Sequence, residues 1–449
     1  LLLVLTPAVA MTAVAVGLRI GARGGVRAAV VYGARPASHA TALAWQVVVF
    51  DEAQGAREPA AGVDVTTLVR AVDASAESHA TTNGDGVAEV SLGVSRPEGL
   101  ELEVRSGAAL LASGHPAPPP PRESAPGESG WLRFARRDGP IQLDVAALGE
   151  RVAPGVPAEL WVHATDAATQ APASGVSVAL DADASAGAGP TPAGRTDSRG
   201  WARIVTTPVG LAVTLSIHAR SPEGRTGEWI GGLYMSPGAP SIDVAPRVEP
   251  GAPFRLGLSM PTARSAAYVE IDDAAGRAWG ATPALTAAPD GTSGARVQAP
   301  ALAPGLYWAV AAADPTSGST LGAGSIARPF FVAPSDEAAL AMGTNRAVCV
   351  PPRDPRETAS AVSSCLALTP IRAVPRWLAL DGFAGQRALD REARSKGLAV
   401  ALGAIAVAVL LEGALLWRAA ARSRVGTVAV AILVGLLGFA LLAAFIVRV

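Results

Sequence analysis

Two cysteines, five histidines and a few acidic pairs are the residues from which chemistry could be built. Cys349 and Cys365 belong to no Cys-x-x-Cys pair and lie near no histidine, so their spacing does not suit zinc. A disulfide between them is expected, with two unrelated buried thiols as the alternative. Closing a loop of that length stabilises by about 3 kcal/mol in the chain-entropy account. His39, His79, His115, His163 and His218 are dispersed, and none pairs with another at a metal-ligand spacing. There is no Gly-x-Ser-x-Gly, no P-loop and no dinucleotide fingerprint. The expectation is a non-enzyme with no catalytic residue, no metal and no cofactor. Asn83-Gly84-Asp85-Gly86 and the pair Asp181 and Asp183 carry oxygen ligands of the kind calcium takes. The first lacks the remaining carboxylates of a calcium loop and reads as turn chemistry, with Gly86 at positive φ. The second reads as a solvated loop beside Gly187 and Gly189.

Glu412 is an acid inside an apolar run, Leu398–Trp417, and a second such run spans Val425–Val447. Twenty apolar residues at about 1.5 Å rise cross roughly 30 Å, the thickness of a bilayer's hydrocarbon core. A helix satisfies its own backbone in lipid, so residues 398–447 are expected to form a transmembrane hairpin. An ionisable group at that depth costs a few kcal/mol on insertion scales. Glu412 is therefore expected to face a partner membrane helix, or to snorkel toward Arg418. The turn carries Arg418, Arg422 and Arg424 and no acid, which by the positive-inside rule places it in the cytoplasm beside lipid headgroups. Arg387, Arg391, Arg394 and Lys396 flank the other side, so the count alone does not decide the orientation. The expected disulfide and the extended β-rich portion favour an outside location for the rest.

The elements that would position these residues are strands. Half of the 449 residues are hydrophobic but only 5% are aromatic. Pro, Gly and regularly spaced valines suit short strands and turns. The net charge of −1 gives no field for nucleic acid. Lys396 is the single lysine in an otherwise Arg-only set of bases, as a GC-rich genome would produce.

Residues 1–20 are apolar and read as an uncleaved membrane helix, with a signal segment as the alternative. Residues 27–114 read as a β-domain, with a strand at Ala44–Phe50 and an alternating one at Gly62–Val69. Residues 115–130 form a Pro-rich linker. Residues 131–237 repeat the first domain: Leu160–Asp166 is matched to Trp45–Asp51, Gly175-Val-x-Val178 to Gly62-Val-x-Val65, and Thr196–Ala202 to Thr82–Ala88. Residues 240–333 form a third β-domain. Val248-Glu-Pro-Gly-Ala-Pro253 in it repeats Val152-Ala-Pro-Gly-Val-Pro157 of the second. Trp45, Trp161 and Trp201 read as sandwich core or rim, with an aromatic ligand patch as the alternative. Residues 334–397 read as a Cys-containing loop and helical stalk, with Asp354 capping a helix that starts at Pro355 and a charged helix over Asp381–Lys396.

The pattern of strand, Gly-Val-x-Val and Thr-(Asp/Asn)-x-x-Gly-x-Ala resembles bacterial immunoglobulin-like modules. It is similar to those of invasin-type adhesins and to macroglobulin-type domains. It covers 44–90 and 160–206 best and the third domain loosely. The Cys-Gly-Glu-Gln thioester of protease-trapping macroglobulins is absent from the sequence. The resemblance implies a mainly β fold: tandem Ig-like β-sandwiches, then a short helical stalk and a C-terminal transmembrane hairpin. The expected role is protein binding or scaffolding at a bacterial cell envelope, with the β-rich part periplasmic or extracellular. Membrane lipid and an envelope or membrane protein are the expected partners. The alternatives are an accessory subunit of a membrane transport or secretion complex, and an unrecognised hydrolase.

Overall fold

Most of the strands alternate in polarity and bury one face, and among the described residues they build six sheets. The computed structural model describes residues 26–39, 43–53, 56–71, 75–93, 99–117, 130–149, 151–181, 192–209, 213–314, 324–343, 348–371, 374 and 376–384, with single positions at 395, 399, 403 and 418. The described fold is mainly β. Among the described residues no helix is long and apolar enough to cross a membrane. The expected N-terminal segment 1–20 and the hairpin runs of 398–447 lie outside the described residues, apart from the single positions.

The first sandwich has one sheet of β1 (Val26–Ala34), β2 (Leu43–Ala53), β3 (Ala56–Pro59) and β6 (Val87–Leu92). The other is β4 (Asp64–Arg70), β5 (Ser75–Thr81), β7 (Glu101–Ser106) and β8 (Ala109–Gly114), in the order β5-β4-β7-β8. Trp45, Val47, Val49, Val65 and Leu102 fill the space between them.

In the second sandwich β10 (Ile141–Ala147), β12 (Ala158–Asp166) and β15 (Trp201–Thr206) face a larger sheet. That sheet holds β9 (Phe134–Asp138), β11 (Arg151–Val152), β13 (Ser177–Leu180), β14 (Ala193–Arg195), β16 (Val213–Arg220) and β17 (Thr226–Met235). Leu160, Val162, Ile204, Ile217 and Trp229 are its core.

The third pairs β18 (Ser241–Asp243), β20 (Phe254–Met260), β23 (Thr286–Ala287) and β24 (Ser293–Ala299) with β19 (Arg247–Val248), β21 (Tyr268–Asp272), β22 (Arg277–Ala281), β25 (Gly305–Ala312) and β26 (Ser325–Val332). Val269, Ile271, Leu256 and Phe330 meet inside it.

The repeats recur as hydrogen bonds. Thr82 Oγ1 accepts from Val63 N–H at 2.9 Å and donates to Ala60 C=O at 2.6 Å. Thr196 Oγ1 does the same with Val176 N–H at 2.8 Å and Ala173 C=O at 2.7 Å. Asn83 Oδ1 accepts from Asp85 and Val87, and Asp197 Oδ1 from Arg199 and Trp201. Gly86 and Gly200 have φ of +73° and +78°, and a Cβ on either would sit 2.5 Å from a carbonyl oxygen, Val49's or Ala164's. Only glycine fits there. The Val-x-Pro-Gly-x-Pro repeat is equally literal: β11 and β19 each pair in parallel with the last strand of their own sandwich. Thr82→Val or Thr196→Val strands a buried N–H and a buried C=O, at about 1–3 kcal/mol each. Urea unfolding of each variant is expected to show a loss of about 2–4 kcal/mol; a loss below about 1 kcal/mol would mean that water replaces the hydroxyl.

The structure keeps the match of Leu160–Asp166 to Trp45–Asp51, so the tryptophans Trp45 and Trp161 are not equivalent. Ala164 N–H bonds Gly200 C=O just as Val49 N–H bonds Gly86 C=O. That register sets Leu160, not Trp161, opposite Trp45. Trp45 and Leu160 are both core residues, whereas Trp161 lies on the outer face with Ala146, Trp201, Ala367 and Leu368. Successive residues of a strand point to opposite faces, so Trp161, next to Leu160, points outward.

Beyond the third sandwich the chain forms α1 (Asp336–Met342), capped by Ser335, a 3-10 turn (Pro355–Glu357) capped by Asp354, and α2 (Thr358–Ala367). Cys349 and Cys365 are joined. Gly343 makes room for them, since a Cβ there would lie 2.4 Å from Cys349 Sγ. The stretch 334–397 is not loop and stalk throughout. Arg376–Asp381 is a strand, β27, at the edge of the first sandwich's sheet beside β1. Its alternate residues Trp377 and Ala379 are buried, as a sheet edge with one packed face requires. Most of the charged segment to Lys396 lies outside the described residues.

The chain divides into two compact units, Ala29–Val49 with Pro59–Leu380, and Leu1–Ala28, Phe50–Glu58 and Asp381–Val449. Of the second, the described part is held by a bidentate Arg27–Asp51 pair at 2.7 and 2.8 Å. There Arg57 also lies 4.0 Å over the ring of Phe383.

Candidate functional site: a buried charged joint

β21 reads Tyr268-Val269-Glu270-Ile271-Asp272. Val269 and Ile271 enter the third core. The opposite face of such a strand is ordinarily solvated, yet Glu270 and Asp272 are only 3% and 2% exposed. What covers them is the first sandwich and β27. Arg277 Nη2 lies 2.9 Å from Glu89 Oε2, and its Nε lies 3.4 Å from Glu270 Oε2. The first contact is a hydrogen bond; the second is an ion-pair distance without hydrogen-bond geometry. Arg376 pairs with Glu270 and donates to Gln46 Oε1. Gln46 Nε2 donates to Glu89 Oε1 at 3.0 Å.

The backbone is stitched at the same place. Arg277 N–H bonds Arg35 C=O at 2.6 Å, and Ala37 N–H bonds Arg277 C=O at 2.9 Å. Two glycines permit the approach. A Cβ on Gly276 would fall 2.2 Å from Arg35 O, and one on Gly280 would fall within the Arg277 guanidinium. Nearby, Tyr268 OH donates to Asp85 Oδ2 at 2.7 Å. The Asn83–Gly86 turn is thus a docking contact.

Burial opposes the charge on Arg277, but Glu89, Glu270 and Asp272 outweigh it and hold its pKa above the usual value. Burial, and then the neighbouring Glu270, push the Asp272 carboxyl well above the carboxylate range. Burial and the bond to Asp85 raise the Tyr268 phenol.

A second joint holds the second sandwich to the third. Glu159 accepts from Arg203 and from Arg328 of β26, both at 3.0 Å. On the neighbouring outer face, Trp131, Trp201 and His163 stack at centroid spacings of 5.6 and 4.7 Å, with the end of α2 packed on the cluster. Burial lowers the His163 pKa. Glu357 accepts from Ser198 N–H at 3.1 Å and from its hydroxyl. Trp161 and Trp201 therefore seat the disulfide-bearing segment.

The structure brings Cys349 and Cys365 together. Arg418 is described and exposed, while Glu412, Arg422 and Arg424 lie outside the described residues. Asp183 lies outside them too. Among the described residues no group of three or more metal-ligating side chains forms. Ser216, His218 and Glu228 make a row that sequence spacing did not nominate, at 3.3 and 4.0 Å. It stands on an open sheet face with the His218 side chain 52% exposed, without the shelter from water that a catalytic row uses. A cleft of about 380 Å³ beside the charged joint is lined by His39, Glu89, Trp279 and Tyr307, among others. Sequence reasoning missed the joint, because Glu and Asp alternating with Val and Ile read as a solvated face.

No family model matches the chain, and no curated protein matches it. Among solved structures, it is similar to native Escherichia coli alpha-2-macroglobulin at 14% identity over 70% of this chain and 22% of that one, with a TM-score of 0.19. The E. coli adhesin FdeC is matched at 14% identity over 69% of this chain and 98% of that one, with a TM-score of 0.18. Invasin, a bacterial integrin-binding protein, is matched at 14% over 68% and 60%, with a TM-score of 0.16. The chain spans about a fifth of the macroglobulin's length. These are the macroglobulin and Ig-like adhesin groups that the strand-and-turn motif resembles. The sandwich assignment itself comes from the sheets, not from scores of this size.

Proposed function

We propose that the chain is a membrane-anchored bacterial envelope protein that presents tandem Ig-like sandwiches for protein binding or scaffolding, and that it is not an enzyme. The observation that carries the reading is the use made of the outer sheet faces. Those of β2 and β6 and of β12 and β15 hold other parts of the chain through the two joints, which favours a fixed platform over separate beads. The Cys349–Cys365 disulfide supports a periplasmic or extracellular place. The apolar runs in 398–447 would anchor it, with Arg418, Arg422 and Arg424 on the cytoplasmic side. A second reading, an accessory subunit of a transport or secretion complex, rests on Glu412 within the first run.

Because Lys396 is the single lysine, photo-crosslinking side chains are the suitable probes. Placed at the exposed Leu110 and Phe134 in native membranes, they are expected to capture a discrete envelope protein. Capture only from position 412 would favour the second reading, and capture from none would sink both. In the same membranes Cys349 and Cys365 are expected to resist thiol labelling without reductant; labelling of both would overturn the proposed location.

A further inference from the structure

The charged joint does not balance as drawn. Glu89, Glu270 and Asp272 bring three carboxyl groups, and Arg277 and Arg376 bring two guanidiniums. With every group ionised, one negative charge would stay buried in excess, which is strongly unfavourable. Glu89 and Glu270 each lie within ion-pair distance of both arginines. Asp272 makes no ion pair among the described residues. It is 2% exposed, and its Oδ1 has no hydrogen-bond partner, while a backbone N–H at Val374 reaches the carboxyl.

We propose that Asp272 carries a proton that completes the charge balance of this joint, and that the first and third sandwiches part more readily once that proton is lost. The charges that act on Asp272 are Glu270 on its own strand, Arg277 on β22 and Arg376 on β27; Glu89 on β6 lies within ion-pair distance of both arginines, and the adjoining Asp273 accepts backbone N–H groups of Ser38, Ala275 and Gly276. Trp308 of β25 is its neighbour across the sheet and does not titrate. Closed, the carboxyl is held neutral; open, it meets water and recovers an ordinary acidity of about 3.9. The sign follows. Closure is favoured fully below the open-state pKa, and that advantage drains away as pH rises toward the raised closed-state pKa. Across that window one proton changes the closed-to-open ratio by up to about tenfold per pH unit.

Hydrogen exchange of the full chain in detergent tests this, whatever the chain binds. The amides of residues 376–380 and 277–281 are followed between pH 5 and pH 8, corrected for intrinsic rates, with the α2 amides as an internal control. Protection at the joint is expected to fall with rising pH, by up to about tenfold per unit, while α2 stays level. Asp272→Asn, which mimics the protonated form, is expected to stay protected and pH-flat, and Asp272→Ser to be pH-flat. A flat profile in the unaltered protein would overturn the proposal. So would an unchanged slope in the Asn or Ser variant, or failure of both neutral variants to fold.

Discussion

Arg277→Ala is expected to destabilise the protein by about 3–5 kcal/mol, the range for breaking one side of a buried ion cluster. Arg277 has a side chain 1% exposed, and its removal leaves Glu89 and Glu270 facing each other across a cavity. Lys does not restore it, since an ammonium cannot reach Glu89 and the Ala44 C=O from two separated donors as the guanidinium does. Denaturant unfolding and limited proteolysis together read the result. The first cleavages are expected near residues 35–39 and 276–281, where the backbone stitch through residue 277 would lose the buried side chain that packs beside it. Arg27→Ala is the control. Its pair with Asp51 is about half exposed on both sides and is expected to contribute less than about 1 kcal/mol. Equal losses from the two variants would mean that the buried cluster contributes no more than a surface pair.

Trp45→Ala is expected to cost about 3–5 kcal/mol as a large cavity in the first core. Trp45 is 1% exposed among Val47, Val49 and Leu102, and little can move in to refill its volume. Trp161→Ala should behave differently, although both tryptophans read as sandwich core or rim in the sequence. Trp161 is buried on the outer face under α2, so its loss is expected to release residues 348–371 to hydrogen exchange and leave the sheet pair of the second sandwich folded. Complete unfolding of the second sandwich on Trp161→Ala would put Trp161 in the core rather than on the outer face.

The different places of Trp45 and Trp161 mark where sequence reasoning ran out, since both read alike as core or rim. The Thr, Gly and Asn or Asp positions of the repeated turn were legible because each does a local job: a hydroxyl bridging two backbone groups, or a φ that only glycine tolerates. The disulfide was legible because Cys349 and Cys365 have no competing thiols. Strand alternation was legible too, but it reports only which residues avoid their own core. It cannot tell that Glu270 and Asp272 leave one core to enter a contact with another module. Nor does Arg376-Trp-Leu-Ala-Leu-Asp381 carry a local signal for the sheet it joins; its partner β1 lies at the far end of the chain. The joint was invisible for the same reason, since its members come from β2, β6, β21, β22 and β27.

The position of β27 has a consequence for how the protein is made. Synthesised from its N-terminus, the chain presents β1 about 340 residues before the strand that covers its edge. At about 5–20 residues per second, that is a delay of roughly 15–70 s. Through this interval β1 offers unpaired N–H and C=O groups along an edge rich in Val and Ala, the kind of surface on which chains join one another. Such distant pairing is also intrinsically slow. The nascent first sandwich therefore needs shelter until residue 381 has emerged. A polypeptide cut short before Arg376 would be a hazard to its neighbours rather than merely a shorter protein.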